Sequence, residues 1–154
     1  MALCNGLRVT FAAFPEAFRE RLLNAQFHLN IKTSSLDAEI MTELILSGKA
    51  GKIMEQKAEL AYRRNQLFDE IFPEAVKPGS PSAFFRWLPL PQLNMDEMEL
   101  ERQLLQQGVS VYGSYRFAVQ RNQGNFIRLA ISSPENEDQL KKGLKIVMDF
   151  LATQ

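Results

Sequence analysis

Asn125-Phe126-Ile127-Arg128-Leu129-Ala130-Ile131-Ser132-Ser133-Pro134 is the stretch on which the reading of the chain turns. Ile127, Leu129 and Ile131 point to one side of an extended backbone and Phe126, Arg128 and Ala130 to the other, the period of a half-buried strand. Asn122-Gln123-Gly124 supplies a turn into it. Beyond it, Ser133 is expected to cap a helix. Pro134 suits its first turn, Glu135, Glu137 and Asp138 complement its dipole, and Leu140, Leu144, Val147, Met148 and Leu151 form its buried stripe. A strand with one apolar face that feeds an amphipathic helix implies a sheet covered on one side.

Upstream, the same kind of unit repeats. Residues 109–111 (Val-Ser-Val) have strand character. Before them, Asn94 with Glu97 three residues on opens a helix with Met98, Leu104 and Leu105 on its apolar side and Gly108 as its stop. Residues 83–88 (AFFRWL) predict a strand that Pro89 and Pro91 close, after the turn cluster Pro78-Gly79-Ser80-Pro81. Residues 50–72 predict one long helix, ended by Pro73, with Ile53, Met54, Leu60, Ala61, Leu67 and Phe68 on its apolar face. Lys57 and Arg64 fall inside that stripe. Their stems are expected to lie along the core edge with the charges reaching water; the alternative is that they face a second domain. Helix, strand, helix, strands, helix is an α+β order, with a small antiparallel or mixed sheet covered by helices.

The first 47 residues do not obviously belong to that plan. Residues 7–13 alternate as a strand, residues 16–26 place Phe18, Leu22 and Leu23 at helical spacing, and Ser34 or Ser35 can cap a second helix carrying Leu36, Ile40 and Leu44 up to Ser47-Gly48. One strand and two helices read as the edge of something larger.

Composition excludes several classes of function. Eighteen Lys plus Arg balance eighteen Asp plus Glu, so no whole-chain field draws the protein to nucleic acid or an anionic membrane. A lone cysteine, Cys4, rules out an internal disulfide and fits a reducing compartment, so a cytoplasmic location is expected. No apolar run approaches the roughly 20 residues that span a bilayer. One histidine, His28, has no cysteine or paired carboxylate at ligand spacing, and there is no glycine-rich phosphate loop, so no metal site and no autonomous hydrolase are expected. Arg8 and Arg128 each sit on the less apolar face of a hydrophobic strand. A guanidinium there suits a planar carboxylate or phosphate, which its fork binds bidentately; an ion pair with a nearby Asp or Glu is the alternative.

The residues 125–134, followed by a closing helix, resemble the last motif of class I/II aminotransferases of the fold-type I pyridoxal-phosphate (PLP) superfamily. Phe84-Phe85-Arg86-Trp87-Leu88-Pro89-Leu90-Pro91 resembles their small-domain strand, with Pro81 and Ser82 near the positions of paired glycines. The segment from Gly108-Val109-Ser110-Val111 to Phe117 resembles the next motif, with Tyr112 where a proline is common before the glycine. Gly6-Leu7-Arg8-Val9 resembles the stretch after the cofactor lysine, with Thr10 at a common glycine. Ser47-Gly48-Lys49-Ala50, running into residues 59–65, looks most like the MocR branch of GntR transcriptional regulators.

The resemblance implies that Arg128 binds a substrate α-carboxylate and Arg8 the PLP phosphate, and that the Schiff-base lysine position falls on Met1, so no catalytic residue is expected in this chain. It further implies residues 1–47 as a remnant of a PLP-binding large domain and 48–154 as the C-terminal small domain with its linking helix. The parent is then an aminotransferase or a MocR/GntR-type regulator that handles an amino-acid-like small molecule and forms a homodimer. PLP is expected in the parent and none on this chain, which is expected to be inactive alone and to bind neither DNA nor membrane. Two competing readings stay open. One is a free-standing module that dimerises through the sheet face bearing Phe126, Arg128 and Ala130. The other is a DNA-binding helical pair over residues 36–65 with Lys49, Lys52, Lys57, Arg63 and Arg64 on phosphates, which Glu55 and Glu59 weaken.

Overall fold

The computed structural model describes residues 7, 9–28, 34–75, 77–119 and 125–154. They form two compact units, Met1–Lys57 and Ala58–Gln154.

In the first unit, a 3-10 turn at Glu16–Phe18 leads into α1, Arg19–His28. α2 spans Ser35–Leu46, and the Ser34 hydroxyl accepts the Asp37 N–H at 3.4 Å, so Ser34 is the cap. Gly48, at φ +72°, stops it, in a backbone region that only glycine enters without strain. α3, Lys49–Ile71, starts directly after it. The strand expected at residues 7–13 does not form among the described residues of that stretch. Its period is right, but a strand needs a neighbour to take its N–H and C=O groups, and the three strands described bond only to one another. Burial fails in the same way: Phe18, Leu22, Leu23 and Phe27 of α1 and Leu36, Ile40, Ile45 and Leu46 of α2 are all exposed, Phe27 by 83%.

The second unit holds the rest of α3, then β1 (Arg86–Pro89), α4 (Glu97–Gln106), β2 (Tyr112–Gly113), a 3-10 turn at Ser114–Arg116, β3 (Phe126–Leu129) and α5 (Glu137–Ala152). The sheet is antiparallel with β3 central, in the order β1-β3-β2. Ile127, Leu129 and Ile131 are buried as their alternation requires. They join Leu67 and Phe68 of α3, Leu88, Leu100 and Leu104, Val111, and Leu140, Leu144, Val147 and Phe150 of α5 in one core. Helices therefore cover one sheet face. The other carries Trp87, Arg128 and Tyr112.

Both later helices begin at a different residue from the one expected. α4 is capped by Asp96, whose Oδ1 accepts the Glu99 N–H at 2.8 Å, and not by Asn94; a carboxylate also meets the positive end of the helix dipole. Glu97 is thereby released from any capping box. α5 is capped by Asn136, whose Oδ1 accepts the Gln139 N–H at 2.9 Å; Ser133, three residues earlier, lies in a turn and donates its N–H to the Ala130 carbonyl at 3.0 Å. The turn Asn122-Gln123-Gly124 lies outside the described residues.

Arg64 corrects the expectation that its charge reaches water. It is 2% exposed and donates from Nη1 to the Ile131 carbonyl at 3.1 Å and from Nη2 to the Glu135 carbonyl at 3.5 Å, tying α3 to the chain that leaves β3. Arg86 is buried as well, at 1%. Its Nη1 donates to Asn65 Oδ1 at 3.2 Å, its Nη2 lies 2.7 Å from Asp69 Oδ1, and its Cζ stands 4.2 Å from the centre of the Phe68 ring. Asn65 also donates to the carbonyls of Ala61 and Ala83, both at 2.8 Å.

Candidate functional site

Antiparallel register assembles the site. Trp87 of β1 and Tyr112 of β2 both lie opposite Arg128 of β3, so the three form one row across the open sheet face. Directly opposed residues in adjacent strands carry side chains on the same face, which brings rings from both neighbours to the guanidinium. Arg128 Cζ stands 4.3 Å from the centre of the Phe117 ring, 4.6 Å from Phe85 and 5.5 Å from Tyr112. Trp87 packs edge-on against Phe117 at 5.3 Å.

The charge of Arg128 is met by ring faces and not by a carboxylate: it makes no ion pair among the described residues. Its Nε is buried without a hydrogen-bond partner. Arg64 and Arg86 carry the same unpaired Nε, so what sets Arg128 apart is its lack of a carboxylate or carbonyl partner at the terminal nitrogens among the described residues, where a planar anion would be bound by the fork.

The segment that delivers Tyr112 and Phe117 is held from α4. Glu101 Oε1 accepts the Gly113 N–H at 2.6 Å and the Arg116 Nε–H at 2.9 Å, while its Oε2 accepts from Arg116 Nη2 at 2.6 Å and from the Tyr115 hydroxyl at 3.1 Å. Glu97 accepts the Ser114 hydroxyl at 2.6 Å and the Tyr115 N–H at 3.0 Å. Arg116 holds the Glu101 carboxyl below the ordinary carboxylate range, against the burial that raises it, with the Gly113 amide and the Tyr115 hydroxyl adding to the lowering. The helix comes so close here that a Cβ on Gly113 would stand 2.9 Å from the Glu97 Cβ, which favours glycine.

Of the residues that the sequence singled out, Arg128 is thus placed at the centre of an aromatic row. Arg8 lies outside the described residues, as do Met1 and Cys4. His28 ends α1, exposed, with its ring edge-on to Phe27 at 6.2 Å. Among the described residues no group of three His, Cys, Asp or Glu side chains could hold a metal ion, and no helix is long and apolar enough to cross a membrane. A cavity of about 680 Å³ beside β2 and α5, with Val109, Leu140, Gly143 and Lys142 in its wall, does not include Arg128. The rings around Arg128 were missed as site residues; their cue, Phe85 just before β1 and Trp87 within it, with Tyr112 ahead of Gly113, reads in sequence only as strand propensity.

Residues 3–146 match the family described as aminotransferase class I and II. The chain belongs to that family. Pyridoxal phosphate is the cofactor of these aminotransferases. The aminotransferase-like chain is also 32% identical, over 97% of its length, to an uncharacterized HTH-type transcriptional regulator of Bacillus subtilis, YdeF, of which it covers 32%. Among solved structures, Pyrococcus horikoshii kynurenine aminotransferase superposes on 90% of the chain with a TM-score of 0.72 at 18% identity, and the chain covers 35% of it. An archaeal alanine:glyoxylate aminotransferase superposes on 92% with a TM-score of 0.73 at 20% identity, with 36% of its own length covered. At these identities the structures establish the aminotransferase fold alone. The chain spans about a third of the length of each of these relatives.

Proposed function

We propose that this chain is the carboxylate-binding small-domain part of a larger aminotransferase-like protein, in which Arg128 fixes the α-carboxylate of an amino-acid ligand. The observation that carries this reading is the guanidinium of Arg128, held by ring faces, unpaired with any described carboxylate and with a buried, unsatisfied Nε. In this reading Arg8 contacts the PLP phosphate. Residues 1–47 then belong to the large domain and 48–154 to the small domain. The exposed apolar faces of α1 and α2 support the first assignment, since such faces in a finished fold are covered by a partner.

When bound in a whole aminotransferase, the cofactor withdraws electrons from the substrate. In this reading the described residues supply the carboxylate site, and none of them takes the role of the cofactor lysine. This chain's own residues bind and orient, and orientation alone gives no turnover. Incubated with PLP and each of the common amino acids, the purified chain is expected to release no keto acid above a protein-free blank. Clear turnover by the purified chain would overturn this assignment. Arg128→Ala is expected to abolish the response of the chain to benzoate, a simple carboxylate probe followed by NMR, since a bidentate charge-assisted contact carries roughly a hundredfold in affinity. An unchanged response would remove Arg128 from the site.

The finer reading is that the parent is a MocR/GntR-type regulator, cytoplasmic and dimeric, which senses PLP or an amino compound. The name of the Bacillus subtilis relative, an HTH-type transcriptional regulator, favours it over a plain aminotransferase. DNA reading would then rest with a domain outside these residues.

A further inference from the structure

Tyr112 is shared between two cations. Its ring centre lies 5.5 Å from Arg128 Cζ and 5.3 Å from Arg116 Cζ, and Arg116 is doubly hydrogen-bonded to Glu101. Two bare guanidinium groups drawn to one ring would repel each other, and each would compete for the same anion. Glu101 neutralises Arg116, so one ring can serve both and the uncompensated charge rests on Arg128. Cross-strand register adds a second observation: β2 places Tyr112 directly opposite Arg128.

We infer that Tyr112 is a positioning residue for the carboxylate site: its ring, itself held by the Arg116–Glu101 pair, fixes the Arg128 guanidinium so that the N–H edge is presented to the ligand. This rests on the reading of Arg128 as the carboxylate ligand. Phe85 and Phe117 confine the same group, so loss of Tyr112 loosens the fork without removing it.

The test is a titration of the isotope-labelled full chain with sodium benzoate, following the Arg128 Nε–H resonance. Tyr112→Phe keeps the ring and is expected to bind within twofold of the parent chain. Tyr112→Leu is expected to bind roughly two- to fivefold more weakly, the size of one exposed cation–π contact, and to speed solvent exchange of the Arg128 Nε–H in the free protein, the mark of a loosened fork. If Tyr112→Leu does not fold, as judged from the Ile127 amide in the core, Tyr112→Thr is read in the same way. Parent-like affinity and parent-like Nε–H solvent exchange in the ring-less variant would overturn the positioning role, while the carboxylate reading would stand so long as the parent chain responds to benzoate. No response of the parent chain to benzoate would overturn both.

Discussion

Phe68→Ala is expected to remove about 3–5 kcal/mol of stability, the usual cost of deleting a fully enclosed aromatic ring. The ring is 0% exposed, lies in the core beneath the sheet, meets Phe72 at 5.2 Å between centres and carries Arg86 above its face at 4.2 Å. The loss therefore has two parts, a cavity and a cation left without its ring. Domains of this size have about 5–15 kcal/mol in hand, so the variant stands at the edge of folding. A drop in midpoint temperature of at least about 12 °C is expected. Trp87, on the opposite sheet face, gives the fluorescence signal for denaturant unfolding, and Phe68→Leu should recover most of the loss. A fall of less than about 1 kcal/mol would show that the ring is not part of the cooperative core.

The sequence made the second unit legible wherever burial follows a period. β3, the stripe of α5 and the long α3 form close to where apolar spacing puts them, because each buries one face against the same core; in α4 the phase differs, with Leu100 and Leu104 buried and the expected Met98 and Leu105 exposed. Period alone did not fix phase or partner. In residues 83–88 the apolar block AFFRWL hides which side faces in; the structure buries Arg86 and Leu88 and leaves Trp87 half-exposed, the reverse of a polarity-based guess. That inversion depends on Asn65 and Asp69, seventeen or more positions away, which no local pattern reveals. Residues 7–13 show the converse case, a sound strand period without a described neighbour to pair with. Arg128 was legible as a candidate because it is the one charge, between Phe126 and Ala130, on the less apolar face of a strongly patterned strand. Its aromatic surroundings were not, since Trp87, Arg128 and Tyr112 meet only through cross-strand register.

Arg64 and Arg86 also set apart two ways of holding a buried cation. Arg64 donates from both terminal nitrogens to backbone carbonyls, which lock one chain path against another, while its Nε is buried without a partner. Arg86 belongs to a side-chain chain of Asn65, Arg86, Asp69 and Lys77, the last with Nζ 2.8 Å from Asp69 Oδ2. The first fixes where the chain goes after β3, just behind Arg128. The second clamps β1, the strand that brings Phe85 and Trp87, to α3. Both therefore set the register on which the site depends.

The two ends of the Arg86–Asp69 pair are expected to respond unequally. Asp69→Ala leaves a 1% exposed guanidinium without the carboxylate at its Nη2, and breaking a buried pair from this side costs about 3–5 kcal/mol. Arg86→Met puts an apolar chain of similar length into the core and leaves Asp69, 29% exposed, still paired with Lys77, so about 1–2 kcal/mol is expected. Acid distinguishes the variants further. Burial pushes the Asp69 carboxyl up, but the hydrogen bonds and charges of Lys77 and Arg86 outweigh it and hold it below its ordinary value of 3.8. A carboxyl with a depressed folded value contributes stability above the unfolded value, and that contribution is lost as pH falls through the folded one. The stability gap between the parent chain and Asp69→Ala should then be constant near neutrality and narrow below about pH 4, measured by urea unfolding at stepped pH. Arg86→Met should show a shallower acid slope than the parent, because one of the two cations lowering Asp69 is gone. Equal losses for the two substitutions, with parallel pH profiles, would mean that Asp69 is held by solvent and Lys77 alone and that β1 is fixed to α3 by Asn65 and packing.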